Sequence, residues 1–297
     1  MYWFYIMFLP VLAYFIIFHY VPMYGVVSAF KKFRYADGIL GSPWVGMANF
    51  DRLFSSALFW EVFRNTVWIS ILRIIFLFPA PVILALLLNE VRNKTFKRGI
   101  QSLSYLPYFM SWVVLSGIIV EFLSPSRGVV NSIISFFGGK PIYFLAEPAY
   151  FRSVLIVTGI WQEVGWSSVI YLAAITSIDM EQYESAYMDG ANQWHLTRYI
   201  TIPSILSVIS IMFILKLGEI LNAGFDQIFN LYNPSVYSVG DIIDTYVYRV
   251  GLGVDGTKSD FSYATAVNLF KNAIGFALVF GTNLVVRKSG GGEYTLW

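Results

Sequence analysis

DMEQYESAYMDGANQWHLTRYITIP, residues 179–203, is the stretch that decides how this chain is organised. It is polar, and it is long for a connection in a helical bundle, where about two to eight residues are usual. Apolar runs flank it on both sides, residues 154–178 before it and 205–223 after it. Glu181 and Glu184 put negative charge where the helix dipole favours it, at a helix start. Residues 184–188 then make about one helical turn, and Gly190 can take a positive φ that stops it. A helical pattern resumes from Trp194 to Ile202, and Pro203 opens the next apolar run. The pattern predicts a short helix lying across a membrane surface, bent away from a bundle by a glycine.

The rest of the chain agrees with a membrane setting. Of its 297 residues 57% are hydrophobic and 13% charged, against about 25% charged in a typical soluble domain. Aromatic residues make up 19%, which suits rings gathered at two membrane interfaces. A span needs about 20 mainly apolar residues, and six stretches qualify: residues 5–30, 63–88, 103–122, 154–178, 205–223 and 263–286. Backbone polar groups in lipid must be satisfied within the segment, so these are expected to be helices. Prolines at 10, 22, 79 and 81 predict kinks in the first two. The predicted architecture is an all-α membrane protein, a six-helix bundle forming a single domain over residues 1–297. The opening apolar run continues past Pro22 without an A-x-A-like cleavage site and reads as a retained span.

Charge orients the bundle. Arg92, Lys94, Lys97 and Arg98 follow the second span and assign that loop to the cytoplasm. Six spans then put both termini and the 179–203 connection on the cytoplasmic side, and Arg287 and Lys288 after the last span agree. Lys31, Lys32 and Arg34, on the side that becomes external, run against the rule. The external segments are 31–61, 124–150 and 224–261, and Gly290 to Gly292 form a flexible exit. The absence of cysteine removes disulfides, thiolate metal sites and cysteine nucleophiles. No GxxxxGK[ST], HExxH or GxSxG pattern occurs, so no catalytic residue, cofactor or metal site is expected in this chain. A net charge of +2 gives no reason to expect a nucleic-acid partner.

Within residues 179–203 the spacing is specific. Glu184-Ser185-Ala186, three residues, Gly190, nine residues and Ile200-Thr201-Ile202-Pro203 resemble the E-A-A, G, I-x-L-P signature of membrane subunits of binding-protein-dependent ATP-binding-cassette importers. Ser185 replaces alanine and Ile202 replaces leucine; every spacing agrees. Gly46-Met47-Ala48-Asn49-Phe50 with Leu53-Phe54 resembles the external segment of carbohydrate permeases of the maltose-system type. Gly224-Phe225-Asp226-Gln227-Ile228-Phe229 and Asp244-Thr245-Tyr246-Val247-Tyr248-Arg249 look like the branch that handles oligosaccharides, to which permeases of bacterial alginate importers belong. The resemblance implies a type I ABC importer permease in the bacterial cytoplasmic (inner) membrane, with the bent helix as a coupling helix. It implies a second homologous permease, a cytoplasmic ATPase dimer that holds ATP and Mg, and an external solute-binding protein that delivers an oligosaccharide. Glu184 would supply a charged contact at the docking surface, Ala186 close packing and Gly190 the bend that aims the helix, with Ser185, Asp189, Ile200 and Pro203 belonging to the same ATPase-coupling segment. A solvated loop face is the competing account of Glu184 and Asp189.

Ionisable residues inside lipid mark pathways or pairs. Arg73, Glu163, Lys216, Glu219 and Lys271 fall within or at the ends of apolar runs. Lys216 and Glu219 stand three apart and are expected to pair on one helix face; Asn268, Lys271 and Asn272 could line a polar cavity. Sugars bind by aromatic stacking combined with planar polar groups, so Trp161, Gln162, Glu163 and Trp166 are candidates for the substrate path. For an anionic sugar, Lys216, Lys271 or Arg73 would offset carboxylate charge. His19 reads as a packed or interfacial residue. A secondary transporter or channel driven by an ion gradient is the alternative, but it predicts inverted repeats with broken helices and leaves the 179–203 spacing unexplained.

Overall fold

Each expected span is helical in the computed structural model, which describes residues 2–254, 256 and 258–289. Among the described residues the only β-pairing is one isolated antiparallel bridge, Lys31 with Trp44. Among the described residues three helical segments are long and apolar enough to cross a membrane: Tyr2–Phe30, Ala57–Glu90 and Phe261–Leu284. Two bent pairs bring the number to five, Lys94–Phe109 with Trp112–Leu123 and Gln193–Ser204 with Leu206–Gly218. The one expected span left, the fourth, is the Pro148–Thr176 helix. Arg152, Gln162 and Glu163 lower its apolar character, although its length is ample.

The bends have local causes. The helix Tyr2–Phe15 widens into a π-turn at Ile16–Tyr20, where the Val21 N–H reaches the carbonyl of Ile16, just before Pro22 removes a donor. Leu77 and Phe78 interrupt the path between Ala57–Phe76 and the helix that Pro79 opens. The third expected span, residues 103–122, is not one rod. Lys94–Tyr105 is amphipathic, runs into a 3-10 turn at Leu106–Phe109 and meets Trp112–Leu123 at 109°. Pro107 ends the first helix, Met110 is extended, and the Ser111 hydroxyl accepts the Val114 N–H to start the second.

Two compact units can be distinguished, Met1–Val62 with Ile243–Ile274, and Phe63–Ile242 with Gly275–Trp297. In the first, Ala29, Phe50 and Ala266 are buried together with Phe30 and Leu269 around them. The chain folds back after residue 30: Lys32 N–H donates to the Pro43 carbonyl at 2.9 Å, and the Asn49 amide donates to the carbonyls of Ala29 and Lys31 at 2.7 and 3.1 Å. Residues 2–23 present their apolar side chains outward, as a helix solvated by lipid would. The glycine-rich exit expected at Gly290–Gly292 lies outside the described residues.

In the second unit the Pro148–Thr176 helix buries Phe151, Leu155, Gly159, Gln162, Ser168, Tyr171 and Ile175 along its length, close to the 3.6-residue period of one face. Gly165 lies on that face. A Cβ there would sit 2.0 Å from the Ser104 carbonyl oxygen and 2.8 Å from the Tyr105 nitrogen, so two backbones touch at this point. Gly165→Leu is therefore expected to cost about 3 kcal/mol or more, the upper range for overpacking. Gly117→Ala, where a Cβ meets nothing within 4 Å, is expected to leave thermal aggregation of the detergent-solubilised protein unchanged. Equal melting of the two variants would refute the close crossing.

Candidate functional site

The 179–203 segment forms two short helices around a built turn. Asp179 caps the first, its carboxylate accepting the Glu181 N–H at 3.0 Å, and the helix runs Met180–Met188. Gly190 has φ +80°. Its N–H donates to the Tyr187 carbonyl, and the Ala191 N–H to the Ala186 carbonyl, each at 3.0 Å. This pair of bonds is a Schellman termination, which satisfies carbonyls the helix leaves open. Asn192 then caps Gln193–Leu196, accepting the His195 N–H at 2.9 Å. A π-turn over Thr197–Thr201 leads to Ile202–Ser204 and, across a 59° bend, to Leu206–Gly218. Tyr183 and Thr201 hydroxyls lie 2.9 Å apart and tie the first helix to the return path.

What the turn presents outward is mixed. Glu184, Ser185, Asp189 and Gly190 are exposed, and Ala186 and Ile200 half-buried. Met188 is 88% exposed and Trp194 66%, with Met180, Tyr187 and Tyr199 also outward. Large apolar side chains beside acidic groups on one elbow make a surface suited to another protein.

A second polar site lies inside the second unit. Arg73 donates to Glu163 Oε1 at 2.7 Å and to Gln227 Oε1 at 2.8 Å. The Gln227 amide in turn donates to the Leu155 carbonyl and the Thr158 hydroxyl at 2.7 and 2.8 Å. Lys216 Nζ reaches Glu163 Oε2 at 3.3 Å. Arg73, Glu163 and Lys216 line a cavity of about 190 Å³ with Ser70, Glu219, Asn222 and Gly224. The backbone makes room for it: Ala223 and Gly224 both have positive φ, +46° and +85°, and a Cβ on Gly224 would sit 2.6 Å from Arg73 Nη1.

The pairing expected between Lys216 and Glu219 is not formed. The helix ends at Gly218, so Glu219 leaves helical register, and Lys216 turns to Glu163 instead. Nor do Trp161 and Trp166 join Glu163. Trp161 lines an apolar groove with Ile118, Phe122 and Val157, and Trp166 stacks on Tyr108 at 5.2 Å. Gln162 is buried. In the first unit Lys271 pairs with Asp244 at 2.5 Å, while Asn268 and Asn272 are exposed. Gln227 and Asp244 were missed as partners; both stand in the polar stretches between the last two spans, where a polar residue needs no membrane explanation.

A family model described as the binding-protein-dependent transport system inner membrane component matches residues 78–225. The chain is 45% identical over 286 residues to the polygalacturonan/rhamnogalacturonan transport system permease protein YteP of Bacillus subtilis (strain 168), covering 96% of this chain and 88% of that one. The chain belongs to this permease family. Protein LplB of the same organism is 43% identical over 286 residues, covering 96% of this chain and 89% of that one. The crystal structure of a bacterial ABC transporter involved in the import of the acidic polysaccharide alginate contains a chain that matches with a TM-score of 0.89 and 40% identity, covering 97% of this permease and 96% of that chain. A second, of a bacterial alginate ABC transporter in complex with an alginate pentasaccharide-bound periplasmic protein, matches with a TM-score of 0.88 and 39% identity, covering 97% and 94%. The fold is therefore that of the type I importer permeases, all-helical with its polar connection between the fourth and fifth expected spans.

Proposed function

We propose that this permease forms half of the translocation path of an ATP-driven importer for an acidic oligosaccharide. The observation that carries the reading is the elbow at residues 179–203, with its Schellman turn at Gly190 and its exposed Glu184, Met188 and Trp194. An elbow of that shape fits the groove of a cytoplasmic ATPase subunit, where closure on ATP and Mg would be passed to the bundle through Ile200 and Pro203. The partners are then a second permease of the same family, an ATPase dimer and an external binding protein. The chain lies in the bacterial cytoplasmic membrane with both termini inside. It performs no hydrolysis itself.

The acidic substrate is supported by two relatives of different provenance. One is named for polygalacturonan, a polymer of galacturonic acid; the other imports the acidic polysaccharide alginate. Uptake into vesicles carrying the complete transporter tests the reading. ATP-dependent accumulation of trigalacturonate is expected, with maltotriose taken up poorly. Uptake that survives ATP depletion but collapses with the ion gradient would favour a secondary transporter and overturn it.

A further inference from the structure

The membrane cations that were expected to receive an acidic sugar are already matched. Arg73 and Lys216 share Glu163, and Lys271 has Asp244. Surplus positive charge gathers elsewhere, in a cavity of about 650 Å³ within the first unit, where residues 31–52 meet residues 250–262. That volume is in the range of small-molecule sites, about 300–1,000 Å³. Among the described residues, Lys32, Arg52 and Lys258 line it against one carboxylate, Asp260.

Asp260 is committed. One of its oxygens takes Arg52 Nη1 at 2.5 Å, and the other accepts the Tyr263 N–H at 3.0 Å at the start of the last helix. Arg52 is further held over the Tyr263 ring, 4.3 Å from its centroid. This leaves Lys32 and Lys258, both exposed, with no carboxylate partner among the described residues. Beside them stand three rings in mutual edge contact, Phe33, Tyr35 and Phe261, with centroids 5.3 to 6.0 Å apart. Asn49, its amide N–H groups held by the Ala29 and Lys31 carbonyls, forms part of the wall, and the Tyr35 and Ser259 hydroxyls meet at 3.2 Å. Ring faces suit the C–H faces of a sugar, and ammonium groups suit its carboxylates.

We propose that this pocket binds the carboxylate-bearing end of an acidic oligosaccharide as it arrives from outside. It sits where the first span ends and the last begins, which is the external side if the 179–203 elbow is cytoplasmic; to that extent it rests on the importer reading. Lys32 and Lys258 set the charge preference, and Phe33, Tyr35 and Phe261 receive the sugar ring.

Photocrosslinking in the complete transporter tests it. p-Benzoylphenylalanine is placed at Tyr35 and the transporter is exposed to fluorescent trigalacturonate. A labelled adduct on this subunit is expected, competed by unlabelled trigalacturonate and not by its fully methyl-esterified form. Lys32→Gln with Lys258→Gln is expected to cut the adduct about tenfold, since two exposed ion pairs contribute on that scale, and added salt to cut it further. The proposal falls if no adduct forms in a transporter that imports the acid, or if the neutral ester competes equally. It falls too if the lysine variants lower stimulation by the binding protein equally with acidic and neutral cargo, which would make the pocket a protein contact. Failure of vesicles to take up any oligosaccharide would sink the importer reading alone, because the adduct judges the pocket independently.

Discussion

Gly190→Pro is expected to abolish substrate-stimulated ATP hydrolysis while leaving the membrane bundle assembled. Proline holds φ near −65°, whereas Gly190 sits at +80°. The substitution also removes the N–H that reaches the Tyr187 carbonyl. Strain of this kind costs about 1–3 kcal/mol and the lost hydrogen bond about 1 kcal/mol. Together they lower the population of the native elbow on the order of a hundredfold. A Cβ at Gly190 meets nothing within 4 Å, so side-chain bulk is not the cause, whereas the proline ring also disfavours the turn conformation of Asp189, φ −78° and ψ 3°. That separates the causes: Gly190→Asn, which tolerates the left-handed region, is expected to retain most of the stimulation, and Gly190→Pro almost none. Both are measured as hydrolysis evoked by loaded binding protein, with subunit copurification as the control. Full stimulation in the proline variant would show that the elbow's shape transmits nothing.

The elbow was readable because it is built from local rules. Acidic residues at a helix start, a glycine at its end and a proline at the next entry act within a few residues; the structure adds the Asp179 and Asn192 caps, the π-turn at Thr197–Thr201 and the Tyr183–Thr201 hydroxyl contact. The six apolar stretches were readable for a similar reason, since lipid demands helices of a given length. The break at residues 110–111 was not. An apolar run continues through it, and only Pro107 and Ser111 hint that Lys94–Tyr105 turns through 109° before the membrane helix begins.

Partnership inside the bundle was the least legible feature. The ionisable residues of the apolar runs stand out in the sequence, yet Lys216 was matched with its neighbour Glu219 when its partner, Glu163, is 53 positions away. Local spacing cannot reveal a pair made by packing of separate helices. Nor does it separate helix faces that only neighbours define: Trp161 and Glu163 are two apart and belong to different surroundings, an apolar groove and a polar cavity. What no spacing rule hints at is the role of Gly224, whose missing side chain lets the Arg73 guanidinium approach.

Arg73 is accordingly where loss of a single charge inside the bundle is expected to hurt most. Its side chain is 11% exposed and that of Glu163 22%, so neither charge is well served by water. Arg73→Met leaves Glu163 with Lys216 alone, at 3.3 Å, and strands the Gln227 carbonyl that Arg73 now satisfies. Removing one member of a buried pair costs about 3–5 kcal/mol; the remaining lysine holds the expectation to about 3 kcal/mol. Because the penalty arises from the abandoned carboxylate, Glu163→Gln added to Arg73→Met is expected to recover more than half of it. Lys216, 37% exposed, can then hydrate. A double-mutant cycle on thermal unfolding in detergent reads this directly. If the two substitutions simply add, the pair carries no coupling, and the Arg73–Glu163–Lys216 cluster is a set of independent polar groups instead of one network joining three helices.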